Sequence, residues 1–370
     1  MHLHSLQMHQ YFSLRILLVV TIGLMFISCD KDDNTPIPVF DPTLYALDYG
    51  PFPDPGLMPD NIPTNAGVEL GRMLFYEKAL SKDGSISCAT CHVQKDMFSD
   101  TNQFSLGVEG LPGRRQAMAV FNLAWHKRGM FWDGRSPLIR DQALKPIQDP
   151  LEMNETLENA VAKIQNRQMY RDQFIRAFGD DTVTSERISL AIEQFEITMI
   201  SNNAKFDRVQ RGEDTFTASE ERGRVLFFQE FDPFIPQKGG ECFHCHGGFN
   251  FTNDQFMNNG LDEDAAFTDL GRYEVSNNPN DMARFKVPSL RNIALTPPYM
   301  HDGRFQTLEE VIDHYNTGVK QSSTLDGLLF HNIEPGGLQL TPQDKADLVA
   351  FLKTLTDPEF LQDQRFSSPF

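Results

Sequence analysis

The sequence predicts a mainly α-helical protein built from two consecutive, related units, and two observations support this fold class. One is a pair of matching motifs, Cys-Ala-Thr-Cys-His at residues 88–92 and Cys-Phe-His-Cys-His at residues 242–246. The other is an amphipathic helical pattern before each motif, with Leu-Gly-Arg at 70–72 and Arg-Gly-Arg at 222–224. Features that recur in the same order indicate an internal repeat.

Each motif has the spacing required for covalent attachment of a haem. Two thiols three positions apart can form thioether bonds to the vinyl groups of one haem, and the adjoining imidazole can bind its iron. The attachment residues are Cys88, Cys91 and His92 in the first motif and Cys242, Cys245 and His246 in the second. Four thiolates could instead hold zinc, but that interpretation leaves both histidines unexplained. We therefore expect two haem c groups in two cytochrome c-like domains.

The start of the chain has the features of an export signal. Arg15 precedes an apolar run at 16–27 that is too short to span a bilayer comfortably. The run ends in Phe-Ile-Ser-Cys, which resembles a bacterial lipobox with Cys29 as the lipidated residue. We expect a lipoprotein signal peptide at 1–28 and a mature protein anchored through Cys29 on the periplasmic side of the cell envelope. A secreted form without lipid is the alternative.

The remaining chain divides into three predicted segments. Residues 29–60 are rich in proline, which predicts an extended tether. The first haem domain covers 61–215 and the second covers 216–370. Between the motifs, residues 156–207 carry apolar side chains at helical spacing, which predicts core helices.

The charge balance limits the partners of the protein. The 370 residues carry a formal net charge of −18, which argues against nucleic acid and against an anionic membrane surface as partners. Any contact with a membrane is expected through the lipid anchor alone. An electron-donor protein would be expected to present a basic docking face. A homodimer is left open.

An Asp-Gly-Arg turn follows each motif, at 133–135 and 302–304, and precedes a predicted helix. Pro146 and Tyr315 occupy matching positions after the two turns. Proline has no group that binds iron, whereas a tyrosine phenolate does. The repeat thus predicts an asymmetric pair, with a five-coordinate first haem and a six-coordinate second haem.

The chain resembles the bacterial di-haem cytochrome c peroxidases and their MauG-type relatives. Besides the two motifs, the matching residues are Phe-Trp-Asp-Gly-Arg at 131–135, Gln142, Pro-Leu-Glu-Met at 150–153 and Pro-Pro-Tyr-Met-His-Asp-Gly at 297–303. The resemblance implies that the N-terminal haem reacts with hydrogen peroxide and that the C-terminal haem relays or stores oxidising equivalents.

Three residues match the family's catalytic positions. The resemblance implies that Glu152 is the distal carboxylate and Gln142 the distal glutamine. One positioned carboxylate can take a proton from one peroxide oxygen and return it to the other. Trp132 matches the tryptophan between the haems. The alternatives are a solvated loop carboxylate for Glu152 and ordinary aromatic core for Trp132.

Two departures from the peroxidases place the chain near the MauG-type branch. Val108 stands where classical members carry a histidine that blocks the first iron, which implies that the first haem needs no reductive activation. Tyr315 stands where classical members bind the second iron through methionine. Met300 and His314 are the rival ligands for that iron.

The family also holds a calcium ion between the two units, bound by an asparagine side chain and backbone carbonyls. Thr296 and Pro298 match the carbonyl positions, and Gln116 stands near the expected asparagine. A glutamine side chain carries the same carbonyl oxygen as asparagine on a longer side chain, so we expect that Gln116 can serve as a calcium ligand.

The expected function is an exported peroxidase that reduces hydrogen peroxide with electrons from a small cytochrome or a copper protein. One alternative is a MauG-like oxidase whose electrons come from side chains of a protein substrate. Another is a di-haem electron carrier without peroxide chemistry. Pro146 and Glu152 argue against the carrier, since a carrier has no use for an open iron and a distal base.

Overall fold

Helix is the main secondary structure, and the computed structural model describes residues 37–370 apart from 233, 236 and 237. The predicted signal peptide and Cys29 lie outside the described residues. From Pro38 to Phe370 the chain forms one compact unit. None of the helices within the described range has both the length and the apolar character needed to cross a bilayer.

The helices and strands follow one another without a large sheet. The α-helices are α1 (Asn65–Tyr76), α2 (Cys88–Cys91), α3 (Ile139–Ala143), α4 (Lys145–Gln148), α5 (Leu157–Gln165), α6 (Gln168–Phe178), α7 (Ser185–Thr198), α8 (Lys205–Gln210), α9 (Ala218–Phe228), α10 (Phe243–His246), α11 (Tyr273–Ser276), α12 (Leu308–Asp313), α13 (Phe330–Ile333), α14 (Pro342–Lys353) and α15 (Pro358–Gln362). A π-helical turn, His314–Gly318, continues α12. Strands β1 (Phe256–Met257) and β2 (Phe285–Lys286) pair antiparallel.

Helices α1 and α7 cross at very short range around the first core. A Cβ atom at Gly71 would lie 1.9 Å from the carbonyl oxygen of Ala191, so only glycine permits this crossing. Helices α5, α6 and α7 supply Ile164, Phe174 and Ile188 to the same core, and all three side chains are buried. This confirms the prediction of core helices between the motifs.

Helices α9 and α14 cross in the same way around a second core. A Cβ atom at Gly223 would lie 1.9 Å from the carbonyl oxygen of Asp347. Thr341 caps α14 by accepting a hydrogen bond from the Asp344 amide, and Pro342 is the first helical residue, a combination that is typical of a helix start. Phe351, on the apolar face of α14, is buried in this core. Leu355, which follows the helix in the chain, is buried in the same core.

The described part of the predicted tether packs on the compact unit. The Asp41 amide donates to the Arg176 carbonyl (2.9 Å), and the Trp125 indole donates to the Pro53 carbonyl (2.9 Å). Phe52 is buried, with its ring centroid 5.3 Å from that of Trp125. The extended tether over residues 29–60 stays a prediction, and within it these contacts attach residues 38–60 to the compact unit.

Candidate functional site

The first motif presents its histidine in a fixed orientation. Helix α2 is a single turn in which the Ser87 amide donates to the Thr90 hydroxyl (2.9 Å). Nδ1 of His92 lies 3.0 Å from the Phe98 carbonyl oxygen, which leaves Nε2 as the nitrogen able to bind a metal. Cys88 and Cys91 are not joined in a disulfide. Burial raises the pKa of both thiols, that of Cys91 to about 11.

A cavity of about 400 Å³ opens beside this motif. The motif residues line it together with Gln142 of α3, Pro146 of α4 and Glu152 of the turn that follows. The wall that carries Pro146 offers no iron ligand at that position. This donor set fits a covalently attached haem, with two thiols, one free imidazole nitrogen and a facing wall that bears a carboxyl and an amide.

Backbone hydrogen bonds fix the position of Glu152, and the pKa of its carboxyl is raised. Its amide donates to the Asp149 carbonyl (3.0 Å), and its carbonyl accepts from the Val108 amide (2.9 Å). Gly107 makes the second contact possible, since a Cβ atom there would lie 2.2 Å from the Leu151 carbonyl oxygen. Burial, with a smaller contribution from Asp149, raises the pKa of Glu152 to about 7, against the opposing effect of Arg135. A carboxyl near neutrality can both accept and return a proton.

Trp132 is buried on the same cavity. Its indole donates to the Gln116 carbonyl (2.8 Å), and its own carbonyl accepts from the Lys286 amide of β2 (2.7 Å). The indole bond fixes the ring, and the backbone bond from Lys286 connects this part of the cavity wall to the later half of the chain.

The residues proposed for calcium share one part of the cavity wall. Gln116, Thr296 and Pro298 all line it. The Gln116 side-chain amide donates to the Ser99 hydroxyl and the Asp100 carbonyl, both at 3.2 Å, so its carbonyl oxygen is the atom left for an ion. The calcium site stays a prediction.

The second motif repeats the orientation of the first. Nδ1 of His246 lies 3.2 Å from the Phe251 carbonyl oxygen, and burial lowers the pKa of His246 to about 4, so the imidazole is neutral and can bind a metal. Cys242 and Cys245 are free thiols. Burial raises the pKa of each to about 12. These donors fit a second covalently attached haem.

Tyr315 and Met300 approach the second motif together. Nδ2 of Asn259 lies 3.3 Å from the Tyr315 hydroxyl and 3.3 Å from the Met300 sulfur. Burial raises the pKa of Tyr315 to about 12, the hydrogen bond from Asn259 lowers it, and the thiols of Cys245 and Cys242 add smaller increases, which places the phenol near the motif. Tyr315 lies in the π-helical turn, a distortion common at functional sites.

His314 and His301 have other partners. Nε2 of His314 lies 3.0 Å from the Asn259 carbonyl oxygen. The His301 ring stacks on Phe285 with centroids 3.6 Å apart, and its backbone carbonyl accepts from the Gln116 amide (2.8 Å). His301 therefore contacts the cavity wall through its backbone.

Sequence reasoning missed a buried charge network beside the cavity. Lys286 forms an ion pair with Asp254, and Nδ1 of His126 lies 2.7 Å from the same carboxylate. The His126 side chain is only 8% exposed and lines the cavity. A lone histidine and a lone lysine give no signal of this pairing.

Glu196 was missed for a different reason. Its carboxyl is buried on α7, lines the cavity, and has one oxygen without a hydrogen-bond partner among the described residues. Burial, assisted by Glu193, raises its pKa to about 8. A signal existed, since Glu196 follows Ile192 by one helical turn and so lies on the apolar face.

A mainly helical chain with two Cys-x-x-Cys-His motifs, each with a fixed histidine, defines a c-type cytochrome with two haems. A model of the di-haem cytochrome c peroxidase family matches residues 65–215. The methylamine utilization protein MauG of Methylophilus methylotrophus is 34% identical over 80% of this chain and 86% of its own length. The cytochrome c551 peroxidase of Nitrosomonas europaea is 35% identical over 80% and 83%.

Solved structures agree with these sequence comparisons. A MauG-like protein associated with microbial copper homeostasis is 34% identical, with a TM-score of 0.80 over 88% of this chain and 99% of that one. The di-haem peroxidase BthA of Burkholderia thailandensis has the same fold at 21% identity, with a TM-score of 0.70 over 89% and 96%. The chain belongs to the di-haem cytochrome c peroxidase family and is an oxidoreductase of the peroxidase type.

Proposed function

We propose that the chain is an exported di-haem peroxidase that reduces hydrogen peroxide at the first haem with electrons relayed through the second. The observation that supports this proposal is the difference between the groups that face the two motifs. Pro146 and Glu152 face the first, whereas a phenol and a thioether approach the second. Peroxide chemistry needs an open iron with an adjacent acid–base group, and electron relay does not.

The residues of the first cavity have separate roles in the proposed reduction of peroxide. A haem held by Cys88, Cys91 and His92 would supply the iron at which the oxygen–oxygen bond is cleaved. Glu152 takes a proton from one oxygen of the peroxide and delivers it to the other, which leaves as water. The Gln142 amide holds the peroxide by hydrogen bonding. Two electrons and two protons complete the reduction to two waters, and the buried, fixed Trp132 indole is the proposed path for the electrons.

The test is rapid mixing of the diferric protein with hydrogen peroxide, followed by absorption of the haems. We expect a fast Soret change in the wild type and a rate about 100-fold or more lower in Glu152→Gln, within the range that general acid–base catalysis contributes. Because Glu152 must be ionised to accept the proton and burial raises its pKa to about 7, the rate should rise as the pH increases through about 7.

Glu158→Gln is the matched control, since it changes the same side chain on the exposed side of α5. It should leave the rate unchanged. A wild type without a rapid Soret change would exclude the peroxidase and leave the electron carrier. An unchanged rate in Glu152→Gln would remove that residue from its role.

A second candidate is a MauG-like oxidase that withdraws electrons from side chains of a protein substrate. Tyr315 supports it, because an anionic phenolate facilitates oxidation of a haem iron beyond the ferric state. The two relatives named MauG or MauG-like also support it by similarity. Steady-state oxidation of a reduced small cytochrome or copper protein distinguishes the two functions, since sustained turnover with either donor favours the peroxidase.

We further propose that the body consists of two related units, residues 61–215 and 216–370, behind a lipid anchor at Cys29. Matching helix crossings at Gly71 and Gly223 and matching histidine contacts at His92 and His246 support the repeat. Metabolic labelling with a radioactive fatty acid tests the anchor: the wild type should take up the label and Cys29→Ala should not, and an unlabelled wild type would contradict lipidation.

A further inference from the structure

Two glutamates and a histidine, none of them assigned a role in the proposed function, converge at the second motif. One ligand atom from each of Glu230, Glu241 and His244 lies within 4.8 Å of the other two. Nε2 of His244 lies 3.1 Å from a carboxylate oxygen of Glu230. Across the described residues, this is the group of three histidine, cysteine or acidic side chains close enough to share one ion.

Within the described residues, the hydrogen bonds of this cluster leave one carboxylate oxygen without a partner. Oε1 of Glu241 accepts a hydrogen bond from the Phe231 amide (3.2 Å). Oε2 of the same carboxyl is buried and has no hydrogen-bond partner among the described residues. The lysine of the same loop, Lys238, bonds to Gln339 instead. A buried carboxylate oxygen without a partner is unfavourable, and a bound cation would supply the missing interaction.

The cluster joins both ends of one loop to the second motif. Glu230 follows α9, and Glu241 immediately precedes Cys242. The loop ends are already adjacent, because the Gly240 amide donates to the Leu226 carbonyl (2.8 Å). His244 lies on α10, between the two cysteines of the motif. The fold thus brings Glu230 together with Glu241 and His244, which lie three residues apart in the chain.

We propose that Glu230, Glu241 and His244 bind one divalent transition-metal cation of the zinc class. An imidazole with two carboxylates matches the ligands that Zn²⁺ takes in proteins, whereas Ca²⁺ and Mg²⁺ prefer oxygen ligands alone. Water would complete a four-coordinate site, and the cation would fix the loop against the second motif. The proposal does not depend on peroxidase activity.

The experiment is equilibrium dialysis of the holoprotein, with both haems attached, against Zn²⁺ in excess Ca²⁺, followed by metal analysis. Excess calcium occupies the separate calcium site predicted at Gln116. We expect one zinc per chain in the wild type. Glu230→Gln and His244→Asn should each weaken zinc binding at least about tenfold, because each removes a direct ligand.

Glu221→Gln is the matched control, since Glu221 lies on α9, is half exposed and pairs with Arg224 outside the cluster. It removes the same charge and should leave zinc binding unchanged. Glu230 lies outside the haem motif, so Glu230→Gln tests the site even where His244→Asn lowers haem attachment. Absence of zinc uptake by the wild type, or equal uptake by Glu230→Gln with unchanged haem content, would overturn the proposal.

Discussion

At the scale of single residues, the second motif shows how one neighbour can serve two rival ligands. Asn259 lies 3.3 Å from both the Tyr315 hydroxyl and the Met300 sulfur, so both groups occupy the same region near the motif. Both residues could be identified from the sequence as candidate iron ligands, and the internal repeat favoured Tyr315. The sequence did not reveal Asn259, because an asparagine distant from both residues in the chain has no pattern that would mark it.

Substitution of each rival ligand separates them. In the holoprotein, Tyr315→Phe keeps the buried ring but removes the oxygen, so the low-spin ferric signal of the second haem should be lost or replaced. Met300→Leu keeps the volume and should leave that signal unchanged. Electron paramagnetic resonance of the as-isolated protein measures both. A methionine-to-iron charge-transfer band in the wild type that disappears in Met300→Leu would reverse the assignment.

At the scale of helices, glycine determines how closely the elements that support each motif approach. Gly71 lets α1 reach the backbone of α7, and Gly223 lets α9 reach the backbone of α14. The amphipathic pattern predicted a helix before each motif, and the Leu-Gly-Arg and Arg-Gly-Arg segments could be identified as a repeat. The sequence could not predict the partner helices, since a crossing distance depends on tertiary packing and glycine alone does not identify the opposing backbone.

The helix crossings predict a measurable cost for one added methyl group. Gly71→Ala and Gly223→Ala place a Cβ atom 1.9 Å from a carbonyl oxygen, which forces the helices apart. Overpacking of this kind costs about 1–3 kcal/mol and should exceed the gain of about 1 kcal/mol that alanine brings to a helix. Thermal unfolding of the holoprotein should show a lower Tm for both variants.

Gly327→Ala is the control for these two variants, because a Cβ atom at Gly327 meets nothing within 4 Å. Its Tm should match that of the wild type. If Gly71→Ala and Gly223→Ala also unfolded at the wild-type temperature, the close crossings would not contribute to stability as argued.

At the scale of the whole molecule, the haem motifs and most helices could be predicted because they depend on local spacing. Thr341 and Pro342 mark the start of α14 by local capping chemistry, and the structure agrees. The contacts between distant segments could not be predicted. Phe52 packs beside Trp125, and Lys286 pairs with Asp254, because the fold brings them together and no periodic pattern links them. The same holds for Arg115.

Arg115 connects the first half of the chain to the second. Its guanidinium donates to Asp269 through two bonds of 2.7 Å and to Asp133, in the turn after the first motif, at 2.5 Å. Arg115 is 10% exposed and Asp133 3% exposed, so solvent screens these pairs weakly. Burial raises the pKa of Asp269, but hydrogen bonds from Arg115 and the Gly271 amide outweigh it and hold that pKa below its usual range.

Arg115→Gln should therefore destabilise the protein by about 3–5 kcal/mol at neutral pH, since it leaves buried carboxylates without a cation. The neighbouring Arg114 is 64% exposed and contacts Glu274, so Arg114→Gln should cost less than about 1 kcal/mol. Because the lowered pKa of Asp269 stabilises the folded state only while the carboxyl is ionised, the difference between wild type and Arg115→Gln should shrink as the pH falls below about 4. Calorimetric unfolding of the three holoproteins at neutral and acidic pH measures this, and equal losses in the two variants would show that Arg115 acts only as a surface charge.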